Sequence, residues 1–388
     1  MSATVRLPGG SFTFSGTGSE YALPGQQAAG AGGQRFTSRV AYAAAHVVAD
    51  PLAENVPGAP AVPDWEATLA FRRHLWSYGF GVAEAMDTAQ RGMGLDHPTA
   101  RELIHRSARE AAAVGGSIAA GVLTDQLPSG PASLDEIHKA YAEQLTDVQE
   151  AGATPVLMCS RHLAAAATTP RHYLDVYGRL LSETSVPVIL HWLGPAFDPA
   201  LTGYWGSTDV SRAADTVGEL IAAHPGKVDG IKLSLLDEAF EVALRRRLPV
   251  RMYTGDDFNY PALIRGDAEG HSDALLGVLA AIAPPAAAAL RALDAGDLAA
   301  YERILDPTVT LARHLFAAPT WFYKTGIAFL AWLGGHQEHF TMVAGAQSGR
   351  SPAHLAELIR LADAAGVLPD ASLAAHRAAA WAVTVGAR

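Results

Sequence analysis

Val228-Asp229-Gly230-Ile231-Lys232-Leu233-Ser234, continued by Leu235 and Leu236, is the stretch on which the fold of this chain turns. Apolar side chains surround a single lysine, and the turn residues Pro225-Gly226 precede the run. A strand buried on both faces, as in a parallel sheet, reads as a nearly continuous apolar run, so its one ammonium needs a reason to be there. Burial disfavours the charged form of an amine, lowers its pKa and turns it into a nucleophile towards carbonyl carbons. The alternative is a lysine that snorkels out at a strand end or pairs with a carboxylate.

Outward from this strand, short apolar runs alternate with amphipathic helices. The pattern predicts strands over residues 40–48, 81–86, 117–123, 155–158 and 187–191 before it, and over 250–253 and 271–276 after it. Between them lie helical spacings such as Trp65, Leu69, Phe71, Arg72, Leu75 and Trp76, or Leu134, Ile137, His138, Tyr141, Leu145 and Val148. Eight strands alternating with helices predict an α/β fold, a parallel (β/α)8 barrel over residues 38–285. Past Pro284 the strands stop, and Leu290, Leu298, Tyr301, Ile304, Leu311 and Leu315 predict a helical C-terminal subdomain over 286–388. Residues 1–37, rich in glycine and serine with Ser11-Phe12-Thr13-Phe14, read as a short N-terminal β extension packing on the main body or on a partner subunit. The glycine-rich residues 30–33 lack the strand-to-helix context of a phosphate loop and read as linker.

Composition narrows the function classes. The chain has 388 residues, 49% hydrophobic, with net charge -10 and one cysteine. That length suits a barrel carried as one large unit. No basic run is present to track phosphates, so nucleic acid is not an expected partner. The single Cys159 excludes an internal disulfide and a multi-cysteine metal site, and its place at the end of an apolar run suits a small core residue. Neither a signal peptide nor an apolar run of about 18 residues occurs, so no membrane role is expected and a cytoplasmic protein is.

In such a barrel, chemistry gathers at the C-terminal ends of the strands and the loops after them. There the sequence places Asp87, Thr88, Gln90 and Arg91, then Ser160-Arg161-His162, His191 and Trp192, Lys232 and Ser234, and Gly255-Asp256-Asp257. Lys232 and His191 come from neighbouring strands and can reach one bound carbonyl compound. Imine chemistry needs that pairing: an amine to attack, and a general acid–base to move protons as the carbinolamine collapses. Asp87, Thr88, Arg91, Gly255 and Asp256 are the candidates for substrate binding. Arg91 suits a carboxylate or phosphate held by two hydrogen bonds, and Asp87 suits a polyol hydroxyl.

From Trp65 to Leu368 the chain resembles the dihydrodipicolinate synthase and N-acetylneuraminate lyase superfamily of class I aldolases, most of all an uncharacterised longer branch of it. Asp229-Gly230-Ile231-Lys232 resembles the family's "GIK" segment with its Schiff-base lysine, and Tyr253-Thr254-Gly255-Asp256-Asp257 its "SGDD". Lys324-Thr325-Gly326 resembles part of the family's C-terminal helical region. The resemblance implies a lyase acting through an imine on a small keto acid or keto sugar, with no metal or organic cofactor, assembled as a homodimer or homotetramer. It departs at two places. The family's "GTTGE" carboxylate loop is replaced by Asp87-Thr88-Ala89-Gln90-Arg91, and its "YNxP" tyrosine by His191 in His191-Trp192-Leu193-Gly194-Pro195. Pyruvate is therefore not carried over, and a histidine relaying protons near neutral pH stands where the tyrosine was.

Other features carry less. Phe197, Tyr204 and Trp205 lie in a long segment, 194–211, and suit either a lid that stacks on a sugar ring or plain packing. His336 and His339 have no third ligand in sight and read as structural. Asp256-Asp257 side by side do not by themselves make a Mg2+ cage. Two further readings stay open: a metal-dependent barrel isomerase or lyase, and a non-catalytic sugar- or keto-acid-binding protein on the same fold.

Overall fold

A computed structural model describes residues 3–22 and 33–387; apart from Gly33, the linker read over residues 30–33 lies outside these. At the N-terminus β1 (Thr4–Leu7) and β2 (Gly10–Thr13) form an antiparallel hairpin. The alternation along it buries Val5 and Leu7, and it packs against the chain's own last helix, Ala371–Thr384. The extension is thus covered by the main body.

The barrel strands are β3 (Ala41–Ala44), β4 (Gly81–Glu84), β5 (Ile118–Val122), β6 (Thr154–Leu157), β7 (Val188–Leu193), β8 (Val228–Ser234), β9 (Arg251–Thr254) and β10 (Asp273–Leu276). They close into one parallel ring, with β10 pairing both β9 and β3. The (β/α)8 architecture read from the alternation is the one observed. Small and branched side chains fill the lumen, among them Ala44, Ala83, Ala119, Val156, Ile189 and Leu275. Helices follow the strands, many opened by a side-chain cap: Asp64, Asp96, Ser133 and Asp237 each accept an amide of the first turn.

The first strand is shorter than its apolar run. Residues 46–48 leave the ring, and helix Trp65–Ser77 captures their backbone: Thr68 Oγ1 accepts the Val48 amide at 3.0 Å, and Arg72 donates to the His46 carbonyl. Arg72 also makes a fully buried two-pronged ion pair with Glu84 at 2.8 Å, to which Ser107 adds a hydrogen bond at 2.6 Å. The Arg72 of the helical stripe is therefore a structural cation that ties its helix to β4.

After β10 come only helices, including Ala283–Asp294, Thr308–Leu315, Tyr323–Leu333 and Pro352–Ala364. Their apolar faces join the cluster outside the barrel wall, and one end of Tyr323–Leu333 reaches the C-terminal mouth of the barrel. Within segment 194–211, Tyr204 and Trp205 are buried against Tyr173 and Tyr177, with ring centroids 4.7–5.8 Å apart. These two aromatics are core. Phe197 alone of the three lies beside Lys232.

Candidate active site

Strands β7 and β8 pair in parallel with His191 opposite Lys232. Residues paired in this way send their side chains to the same face, here into the barrel near its C-terminal mouth. Lys232 is 8% exposed. No carboxylate among the described residues lies within ion-pair distance of it, and its ammonium makes no hydrogen bond to them. The snorkelling and salt-bridge alternatives both fail on that geometry. Burial pulls its pKa below 10.5, opposed first by the charge of Asp87 and then by that of Asp257. A larger fraction is therefore the free amine at neutral pH than for an exposed lysine.

The space around the amine depends on Gly255. A Cβ there would come within 2.1 Å of Ser234 Oγ and 2.9 Å of Lys232 Cε, so only glycine lets β9 pass this close to the lysine. The cleft at Lys232 holds only about 10 Å³, the room of a single water, and is walled by Asp87, Thr88, Ser234, Asp257, Phe197 and Tyr323. Thr88 Oγ1 and Tyr323 Oη share a hydrogen bond of 2.8 Å. Asp87 and Leu193 also line a second, open cavity of about 520 Å³ that carries Thr124, Ser129, Cys159, Arg161, His162 and His191. Sharing these walls, the two adjoin: a narrow end at the lysine and a wide mouth. Backbone strain brackets it, with Ala85 (φ 48°) and Gln90 (φ 64°) on either side of Asp87-Thr88 and Leu236 (φ 59°) after β8.

His191 has no exposed surface. Its Nδ1 has no partner among the described residues, its Nε2 lies 3.5 Å from Ser234 Oγ, and its carbonyl accepts the Cys159 thiol at 3.0 Å. Burial, and next the Lys232 charge, hold its pKa well below 6.5. The expectation of a group titrating near neutrality is corrected for this residue: His191 is a neutral imidazole. Asp257 takes that place instead. Burial lifts its carboxyl to about 7, against the pull of the Val278 amide (2.9 Å) and of Lys232.

Two substrate-binding expectations are also corrected. Arg91 is buried, and its five N–H donors are spent on the protein: Nε and Nη2 on Asp125 at 2.8 and 2.7 Å, Nη1 on the Ala85 and Gly121 carbonyls, and Nη2 again on Gln144. No donor is left for a substrate anion. Asp256 accepts the Phe258 and Asn259 amides with one oxygen and Asn259 Nδ2 with the other, so it shapes its own loop. Asp87, Thr88 and Gly255 do converge with Lys232. So do Ser234 and Asp257, rim residues of the sequence, and Tyr323, which periodicity did not mark. Its only signal was its place immediately before Lys324-Thr325-Gly326. Lys324, a second buried lysine with its pKa lowered by burial to about 8, points to the Trp321 carbonyl and Met93 Sδ.

The remaining candidates are engaged by neighbouring residues. Both ring nitrogens of His162 are engaged, with Thr124 Oγ1 and the Pro128 carbonyl. His336 packs against His74 with ring centroids 4.0 Å apart and His339 accepts the Thr341 amide, so the two histidines serve different neighbours. Among the described residues no group of three or more His, Cys, Asp or Glu side chains is disposed to hold a metal ion.

Arg91→Met is expected to destabilise the fold by about 3–5 kcal/mol, the usual cost of leaving one partner of a buried ion pair alone. The sign with pH follows from Asp125. Burial alone would raise its carboxyl, but the Arg91 hydrogen bonds and charge outweigh this and hold it at about 2. A depressed carboxyl contributes stability above its unfolded pKa of about 4 that is lost as the pH falls towards 2. The variant should lack that acid-side loss in denaturant titrations. A variant as stable as wild type, impaired only in substrate affinity, would return Arg91 to the substrate.

Comparison with known proteins places the chain as follows. The family model described as "Protein of unknown function (DUF993)" matches residues 12–386. No curated protein matches the sequence. Among solved structures, the fold is similar to YagE of E. coli K12, described as a prophage protein of the dihydrodipicolinic acid synthase family in complex with pyruvate. The TM-score is 0.66 at 14% identity, over 85% of this chain and 99% of that one. It is also similar to the Acinetobacter baumannii dihydrodipicolinate synthase complexed with pyruvate (TM-score 0.63, 17% identity, 85% and 100% covered). A third is the Aquifex aeolicus dihydrodipicolinate synthase (TM-score 0.63, 14% identity, 85% and 99% covered). At such identities the likeness concerns the fold.

Proposed function

The chain belongs to the DUF993 family, and on that premise we propose that it is a Schiff-base-forming lyase acting on a small keto acid or keto sugar. The observation that carries the reading is Lys232: a buried amine without a partner among the described residues, facing a cleft at the C-terminal end of the barrel.

In this reading the free amine of Lys232 attacks the substrate carbonyl carbon. The Nζ–C bond forms, the carbonyl oxygen takes up protons and leaves as water, and a protonated imine remains. That cation withdraws electrons from the neighbouring carbon, so a C–C or C–O bond there breaks, or a proton leaves, without a further electron sink. His191 starts neutral and accepts the proton. Ser234, 3.5 Å from its Nε2, lies between it and the lysine cleft. Asp87 and Thr88 orient the substrate, and Gly255 keeps the space for the lysine side chain.

The test is reductive trapping. Borohydride added with a panel of carbonyl compounds should attach the reduced compound to the peptide that contains Lys232, read by its mass. Label at another lysine, or none with any compound, would overturn the reading and favour a barrel that only binds its ligand.

A further inference from the structure

The polar groups around Lys232 are unequal. The cations of this neighbourhood that could hold a carboxylate next to the reacting carbonyl are already used, and so are several of its amides. Arg91 has no free donor. The amides of Ala89 and Gln90 close their own turn onto Met86 and Asp87, and the Val278 amide is taken by Asp257. Lys324 points to the Trp321 carbonyl. Arg161 sits at the outer rim, 57% exposed along its side chain and paired with Asp198 at 2.6 Å.

What faces the lysine instead is acceptor-rich. Asp87 and Asp257 are the two leading charges acting on it, and both line its cleft. The Asp87 carboxylate accepts no hydrogen bond from the described residues. A carboxylate placed there meets like charge and no free cation, whereas a hydroxyl gives Asp87 the donor it lacks. The wide mouth continues in kind, with Thr124, Ser129 and Asp198 on its wall.

Resting on the imine reading of Lys232, we infer that the carbon next to the carbonyl of the compound it captures carries a hydroxyl and is not a carboxylate: the compound is a hydroxyketone or a sugar. Dihydroxyacetone and pyruvate separate the classes, being of similar size and differing at that position. Wild-type protein is incubated with each in turn and reduced with borohydride, whose hydride converts the iminium carbon on Nζ into a secondary amine. The rate of label at Lys232 is divided by the rate on free Nα-acetyl-lysine. Dihydroxyacetone should exceed pyruvate roughly 10- to 100-fold, the size of one weakly screened like-charge contact near a protein surface. Asp87→Asn should narrow that ratio by admitting pyruvate. Pyruvate trapped at Lys232 as well as dihydroxyacetone, or better, overturns the inference and leaves the imine reading standing. No label at Lys232 with either, nor with any other compound of the carbonyl panel, overturns both.

Discussion

Lys232→Ala will leave the barrel folded, abolish borohydride trapping and lower turnover by about 10⁴- to 10⁶-fold, the scale on which loss of a covalent nucleophile is measured. Folding should survive because the native lysine is a cost to it: an ammonium in an apolar strand without an ion pair to the described residues. Its pH dependence gives an independent signature. The folded pKa lies below the ordinary 10.5, so between those two values the unfolded chain binds more protons than the folded one, and stability rises with pH through that window. Lys232→Met should lose this alkaline gain in denaturant titrations. Lys232→Arg keeps a cation but not a nucleophile, since a guanidinium stays protonated, and should be as inactive as Lys232→Ala. Substantial turnover in either variant would move the chemistry away from this residue.

His191→Phe is the second large effect. Removing a general acid–base costs about 10²–10⁴-fold in the step it serves. That step can be followed without knowing the reaction partner, as exchange of the α-protons of a captured carbonyl compound in heavy water. Exchange should slow by that factor while trapping at Lys232 persists, because the nucleophile is untouched. The fold should tolerate the change, since phenylalanine fills the site and removes Nδ1, a buried nitrogen that has no partner among the described residues. The wild-type rate should carry no titration of His191 near pH 7, because burial and Lys232 keep it neutral well below 6.5. Asp257, raised by burial to about 7, titrates there instead. Near-wild-type exchange in His191→Phe would make it a core histidine.

Much of this was legible in the sequence because the signals are local. A strand buried on both faces must be apolar along its length, so Val228–Ser234 announced its own environment, and with it the anomaly of Lys232. The repeated beat of strand and helix leaves few topologies, and the closed parallel ring is the one observed. Parallel neighbours in order also placed His191 beside Lys232 at one mouth. The segment 194–211 was less legible: three aromatics in one loop looked alike, yet Tyr204 and Trp205 face Tyr173 and Tyr177 while Phe197 faces the lysine. Which way an aromatic of an irregular segment turns is set by what packs against it.

By itself, then, the sequence determined the barrel, the strand that carries the amine and the rim on which polar residues gather, since periodicity and burial are properties of consecutive residues. Only the tertiary structure decided which of those polar groups are free. Arg91 was read as an anion holder because it is a guanidinium in a mouth loop, but Asp125, Gln144 and two carbonyls take all its donors. Asp256 and Asp257 are adjacent in the chain, and one shapes its loop while the other faces the lysine. Tyr323 reaches Thr88 across 235 positions. Hydrogen-bond capacity is consumed through space, and a donor spent on a distant carbonyl looks in the sequence the same as one left for a substrate.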